Sequence, residues 1–271
     1  MKRVASLRYG VIFKKAFSQP DIFTAFVHDI LGITIEIDHV ETEKSFPEPV
    51  GKVDSRFDLF AEDKKNRTIV DIQHKRFPDH YARFFHYHCA ALLEQVANSD
   101  DYRPTLKVYT IVILTSGDKH QKDVAVIDCD PKDLQGQPML EIPHKVIYIC
   151  PKYVNEHTPL LYREWLTAIE DTLDGEVDES QYQNPTIHRV FDLIERDRIS
   201  PSERARMFDE HGDEELRQEE FEKGKQAQKL ETAKAMLAEG LDTILIVKLT
   251  GLSEAEIVAL NASEMSDHFS A

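Results

Sequence analysis

No apolar run in the 271-residue chain approaches the ~18 residues of a membrane span, and its start, MKRVASLRYG, lacks the apolar stretch of a secretory leader. A cytoplasmic protein without membrane contact is therefore expected. Cysteine is scarce. Cys89, Cys129 and Cys150 are odd in number and far apart, which argues against a disulfide framework or a zinc knuckle and leaves buried free thiols. There is no glycine-rich phosphate loop. Ser116, in TSGDK, and the cysteines have no adjacent His and Asp or Glu in a nucleophile motif, so NTP hydrolysis and serine-hydrolase chemistry are disfavoured.

Acid is missing where base is concentrated: residues 1–20 carry Lys2, Arg3, Arg8, Lys14 and Lys15 and no Asp or Glu. Such a patch either meets phosphates or is a solvated helix face. The net charge of −16 is unevenly spread, with 20 Lys+Arg against 22 Asp+Glu in residues 1–150 and 13 against 27 in residues 151–271. The acidity thus belongs to the second half, and the first half is nearly neutral. At 41% apolar composition the chain can bury one good core and still leave an appendage.

Phe13, Phe17, Phe23, Phe26, Val27, Ile30 and Leu31 recur at helical spacing, interrupted by Pro20, which predicts two short helices ended by Gly32. In ITIEIDHVETE, Ile33, Ile35 and Ile37 alternate with polar residues and predict a strand. SRFDLFAED and RTIVDIQHK read as two more, joined by a charged turn over residues 62–67. A helix follows from about Pro78 to Ala97, with Tyr81, Phe84, Phe85, His88, Leu92 and Val96 as its apolar stripe. LKVYTIVILT has the continuous β-branched character of a central strand covered on both faces, and DVAVIDCD and HKVIYIC complete a mixed sheet. After Pro151 the chain reads as helical, including a charged, solvated helix from about Asp213 to Glu239 that stops at Gly240. ILIVKLTGLSEAEIVAL carries two short helical patterns about Gly251, with Ser253 as N-cap. The expected organisation is a core over 1–155, a helical extension over 156–212, and a charged helix with a small helical hairpin over 213–271.

The chemistry is carried by the hairpin from Asp54 to Lys75. A turn centred on Lys64 and Lys65 sets Phe60 against Ile69, Asp58 against Asp71 and Arg56 against Gln73. Two opposed carboxylates about 5 Å apart repel by roughly 3 kcal/mol at an effective dielectric near 20, a cost that a bound cation reverses. Alternation puts Asp71, Gln73 and Lys75 on one face while Val70 and Ile72 point into the core. Phosphodiester hydrolysis needs such a set: hard oxygen ligands for Mg²⁺, here the two Asp with the Ile72 carbonyl, a group such as Gln73 to orient the attacking water, and added charge from Lys75. The same spacing also suits an edge hairpin with a polar solvent face.

The stretch VDSRFDLFAEDKKNRTIVDIQHKRFPDHYARFFHYHCAALLEQ resembles the core of the PD-(D/E)XK nuclease family transposases, also described as recombination-promoting nucleases. The resemblance runs from RYGVIFKKAF to AKAMLAEGLDTILIVKLTGLSEAEI. It implies a restriction-endonuclease-like α/β fold, a mixed sheet flanked by helices with a helical C-terminal extension. The implied activity is Mg²⁺- or Mn²⁺-dependent DNA endonuclease action linked to mobile elements and recombination, with Asp58, Asp71 and Gln73 in the core pattern. Two positions depart from that pattern. Asp71 stands where the family usually has Glu, and Gly10 stands where many members carry an acid three residues before Phe-Lys-Lys. A nuclease fold that has lost turnover and binds DNA or protein is the alternative.

Lys14, Lys15, Arg83 and Tyr87 are candidate phosphate contacts, the last two at i and i+4 on the helix face opposite the apolar stripe. His80, His86 and His88 lack helical metal-ligand spacing, which disfavours zinc. Ile246, Gly251, Leu252, Ile257 and Leu260 fit helix-turn-helix spacing, but the second helix opens with SEAE, whose acids would repel a duplex. A helical cap, or a contact for a protein partner or a second copy of the chain, is therefore the expectation for this segment.

Overall fold

The computed structural model describes residues 1–46, 55–74, 79–95 and 103–260, apart from the side chains of 213–222. Two compact units are formed, Met1–Met207 and Phe208–Ala271.

In the first unit a two-residue strand, β1 (Lys2–Arg3), leads to α1 (Gly10–Phe17) and α2 (Pro20–Leu31). Pro20 occupies the first turn of α2, where its missing N–H costs nothing, and Gly32 ends the helix at φ 68° with its N–H donating to the His28 carbonyl at 2.8 Å. The two expected helices and their glycine stop are thus present. Strand β2, however, is Glu41–Phe46. The alternating Ile33, Ile35 and Ile37 lie before it, outside any strand, and pack directly against the core.

The hairpin comprises β3 (Ser55–Glu62) and β4 (Asn66–Gln73), closed by Asp63, whose Oδ1 accepts from the amides of Lys65 and Asn66 at 2.7 and 2.6 Å. α3 (His80–Leu93) crosses over to β5 (Lys107–Leu114), which is followed by β6 (Val124–Asp128) and β7 (Lys145–Ile149). The sheet order is β2-β3-β4-β5-β7-β6, with β4, β5 and β7 parallel and the remaining pairs antiparallel. This is the expected mixed sheet, with β5 at its centre, buried from Val108 to Leu114. α4 (Leu160–Asp171), β8 (Glu176–Val177) and α5 (Pro185–Ile194) follow, and β8 pairs with β1.

One core cluster joins α1, α2, α4 and α5 to Leu59, Val70, Ile111 and Ile149 of the sheet. Its aromatic centre is Phe17, Phe26 and Trp165, with ring centroids 5.2 to 5.9 Å apart. The Trp165 indole N–H donates to Asp29 Oδ2 at 2.7 Å, satisfying its polar edge. The second cluster joins α3 to Phe60, Ile69, Val108, Val112 and Tyr148. Helices therefore cover both faces of the sheet, and β4 between them is buried for its first six residues.

α6 (Pro201–Ala238) begins in the first unit and ends in the second, as the long charged helix that its composition predicted. α7 (Thr243–Thr250) starts at Asp242, whose side chain accepts from the Ile244 amide at 2.7 Å, and ends at Gly251 with φ 68°. Residues 254–260 form a further helix. Its start is a capping box: Ser253 Oγ accepts from the Glu256 amide while Glu256 Oε2 accepts from the Ser253 amide at 2.7 Å. Ala233, Ile246, Leu252 and Ile257 form the core of this unit. Among the described residues no helix is long and apolar enough to cross a membrane.

Candidate active site

β3 and β4 pair from Glu62↔Arg67 to Leu59↔Val70, the register expected from the turn. One step further the two strands part at Asp58 and Asp71. Opposed carboxylates are unfavourable in a ladder, and each here reaches across to the other strand instead. Asp71 Oδ1 accepts from the Asp58 amide at 2.9 Å, and Asp58 Oδ2 accepts from the Ile72 amide at 3.0 Å. Arg56 consequently does not pair with Gln73. Its guanidinium instead forms an ion pair with Glu43, a residue that the reading of the hairpin alone did not single out.

Each carboxylate keeps one oxygen outside this exchange. Asp71 Oδ2 is buried with no hydrogen-bond partner among the described residues. Burial, reinforced by the charge of Asp58, holds the Asp71 carboxyl well above its ordinary range, opposed by the Asp58 amide, Arg83 and Lys14. Asp58 Oδ1 lies 3.6 Å from the Lys14 ammonium. Burial also raises the Asp58 carboxyl, with Lys14 and the Ile72 amide pulling the other way. An unpaired buried acceptor beside a second carboxylate is an arrangement that a cation would satisfy. Ile72 adds a possible oxygen, because within a strand the carbonyl points to the same edge as the N–H of its own residue, here the edge that Asp58 engages. The residues present therefore fit a divalent ion. Among the described residues no three His, Cys, Asp or Glu side chains form a metal-binding group.

Gln73 is partly exposed at the end of β4, two residues beyond Asp71, and its carbonyl accepts from the Thr115 amide at 3.1 Å. Lys75 lies outside the described residues. The face of β4 that carries Asp71 is not a solvent face, since α3 and the second core cluster cover it.

Lys14 stands at the site: its ammonium contacts Glu43 and keeps a longer ion pair, at 3.6 Å, with Asp58 Oδ1. Lys15 is held elsewhere, 3.0 Å from Glu203 Oε2 and 2.7 Å from the Arg198 carbonyl. Arg83 acts electrostatically on Asp71, and its Nε donates to the Tyr87 hydroxyl at 3.1 Å. Tyr87 is not opposite the apolar stripe. It is 7% exposed and packs edge-on against Phe57 and Phe84, because the buried face of α3 runs through His80, Phe84, Tyr87, His88 and Ala91. His88 belongs to this interior: its Nδ1 lies 2.9 Å from Thr110 Oγ1, and burial lowers its pKa to about 4. Cys150 is buried, and Cys89 and Cys129 are half-buried.

Residues 8–217 match a family model described as PD-(D/E)XK nuclease family transposase. Residues 226–262 match a second, described as Rpn/YhgA-like nuclease family, C-terminal HTH domain. The second match covers the terminal segment and supports a helix-turn-helix domain there, built from the end of α6, α7 and residues 254–260, in line with the spacing of Ile246, Gly251, Leu252, Ile257 and Leu260. Of the two acids in SEAE that would repel a duplex, Glu256 caps its own helix, a local role that composition did not reveal. No curated protein and no solved structure matches the chain.

Proposed function

Because this chain belongs to the PD-(D/E)XK nuclease family transposases, we propose that it is a DNA endonuclease that hydrolyses phosphodiester bonds with Mg²⁺ or Mn²⁺ at Asp58 and Asp71 and serves recombination of mobile elements. The observation that carries this reading is the exchange between the two strands, in which backbone amides hold one oxygen of each carboxylate and leave Asp71 Oδ2 buried with no partner among the described residues. Asp58 Oδ1, Asp71 Oδ2 and the Ile72 carbonyl would hold the ion. When bound, it supplies charge neutralisation at the phosphate and a lowered pKa for the attacking water.

The chain's own groups do the rest. The two amide hydrogen bonds fix the carboxylates in advance, so little reorganisation is needed when substrate arrives. The Gln73 amide orients the attacking water, replacing the charged lysine of the wider superfamily with a neutral group that can both donate and accept. Lys14 and Arg83 place positive charge on either side of the carboxylates, suited to a phosphate backbone. The helix-turn-helix domain is a second DNA contact, with Lys229 near the Gly251 turn and Lys248 in the last turn of α7 among its basic groups.

Plasmid cleavage with Mg²⁺, Mn²⁺ or EDTA, run beside Asp58→Ala and Asp71→Ala, tests the assignment. Metal-dependent nicking lost in both variants is expected, and equal cleavage by wild type and variants would remove these residues from the mechanism. One feature favours a second reading, a fold that binds DNA without cutting it. α1 opens at Gly10 and has no acid in its first turn, so that helix contributes no ligand there. DNA binding without cleavage under every metal condition would select this reading.

A further inference from the structure

Glu43 lies opposite Asp58 across β2 and β3, since the pairs Thr42↔Leu59 and Lys44↔Phe57 bracket that position. Yet Glu43 drops out of the ladder, with φ 58°. A non-glycine residue in the left-handed region inside a strand is an outlier that persists only when surrounding contacts over-determine it. Two cations do so here: Oε1 contacts the Lys14 ammonium and Oε2 contacts the Arg56 guanidinium.

The same contacts set where Lys14 sits. Its Nζ touches Glu43 but stays 3.6 Å from Asp58 Oδ1, the oxygen that Asp58 does not commit to the Ile72 amide. An ammonium and a divalent ion compete for such an oxygen. A lysine on a four-carbon stem close to an ionised carboxylate forms the direct pair unless something stronger holds it back. Glu43 is poorly placed to be a third metal ligand, because both its oxygens are engaged by cations.

We propose that Glu43 is a positioning residue that draws the Lys14 ammonium off Asp58 Oδ1, leaving that oxygen open to a divalent cation and Lys14 beside it as a charge for the substrate phosphate. Arg56 anchors Glu43 from the far side and so sets the reach of its carboxylate. This inference rests on the metal-dependent nuclease reading above and names the residue that keeps the site open.

Mn²⁺ binding to the full chain, followed by calorimetry and by the cation-induced rise in melting temperature, tests the proposal in wild type, Glu43→Gln, Lys14→Met and the double variant. Glu43→Gln is expected to weaken Mn²⁺ binding by about tenfold, because Lys14 falls onto Asp58, and adding Lys14→Met is expected to restore it. Arg56→Met, which touches neither Lys14 nor Asp58, is expected to weaken binding in the same direction by less. An unchanged Glu43→Gln overturns the proposal while the nuclease reading stands. A weakened Glu43→Gln that Lys14→Met does not rescue makes Glu43 a ligand and likewise overturns it. A wild type that shows no cation response overturns both readings.

Discussion

The carboxylates of Asp58 and Asp71 are linked through each other's strands: Asp71 accepts from the amide of Asp58 at 2.9 Å, and Asp58 accepts from the amide that follows Asp71 at 3.0 Å. Two like charges are thereby placed side by side by backbone donors, with no side-chain cation of the described residues hydrogen-bonded to both. Such a pair is costly without a counter-ion and well prepared to receive one.

Asp71→Asn tests that cost. Burial and Asp58 raise the Asp71 carboxyl well above 3.8, so the folded chain keeps its proton over a pH range in which the unfolded chain has lost it. Stability from this group is full below the unfolded value and is lost as pH rises through the folded one. Asn keeps an acceptor for the Asp58 amide and removes the charge. The metal-free melting temperature is expected to rise by about 2–4 °C near pH 8, roughly 1 kcal/mol, and to change less near pH 4. The Mn²⁺-induced rise should vanish. A variant less stable than wild type at pH 8 counts against a buried charge at this position.

Asp58→Ala removes a metal ligand and the acceptor for the Ile72 amide together. Leaving that amide unsatisfied costs about 1–3 kcal/mol. Chemical denaturation is expected to show this loss, and cleavage to fall to background. Asp58→Asn, which retains an acceptor, should recover most of the stability and none of the cleavage.

Gln73→Ala separates chemistry from cation binding. If the Gln73 amide orients the attacking water, cleavage falls by about a hundredfold while the Mn²⁺-induced melting shift is unchanged. Loss of that shift would place Gln73 among the ligands instead.

Arg83 and Tyr87 are expected to part company on substitution. Arg83→Ala should weaken DNA binding across sequences and reduce the slope of log affinity against log salt by about one, as for a single phosphate contact. Tyr87→Ala should instead unfold readily, at a cost of about 3–5 kcal/mol, because the ring is packed between Phe57 and Phe84. Salt-dependent binding assays and melts distinguish the two outcomes.

Local pattern was enough wherever the deciding interactions lie within a few residues. The Pro20 start and Gly32 stop of α2, the Asp63 turn, the hairpin register and the Ser253 cap all follow from short-range chemistry, and all are present in the structure. The buried face of α3 was misjudged by about one residue, since several rotations of an aromatic-rich helix offer an apolar stripe and only the sheet beneath selects among them. Ile33, Ile35 and Ile37 show the related limit: alternation marks side chains that need burial, but a strand also needs a partner, and β3 pairs with Glu41–Phe46.

The sequence by itself determined the class of the protein, the order of its elements and the opposition of Asp58 to Asp71, because family pattern, periodicity and turn chemistry are all written along one stretch of chain. Tertiary structure decided that the hairpin parts at those two residues and that Lys14 of α1 and Glu43 of β2 meet Asp58 there. The reason is physical: charges far apart in sequence interact only once packing brings them within a few ångströms, and the burial that makes those interactions strong is a property of the folded chain alone.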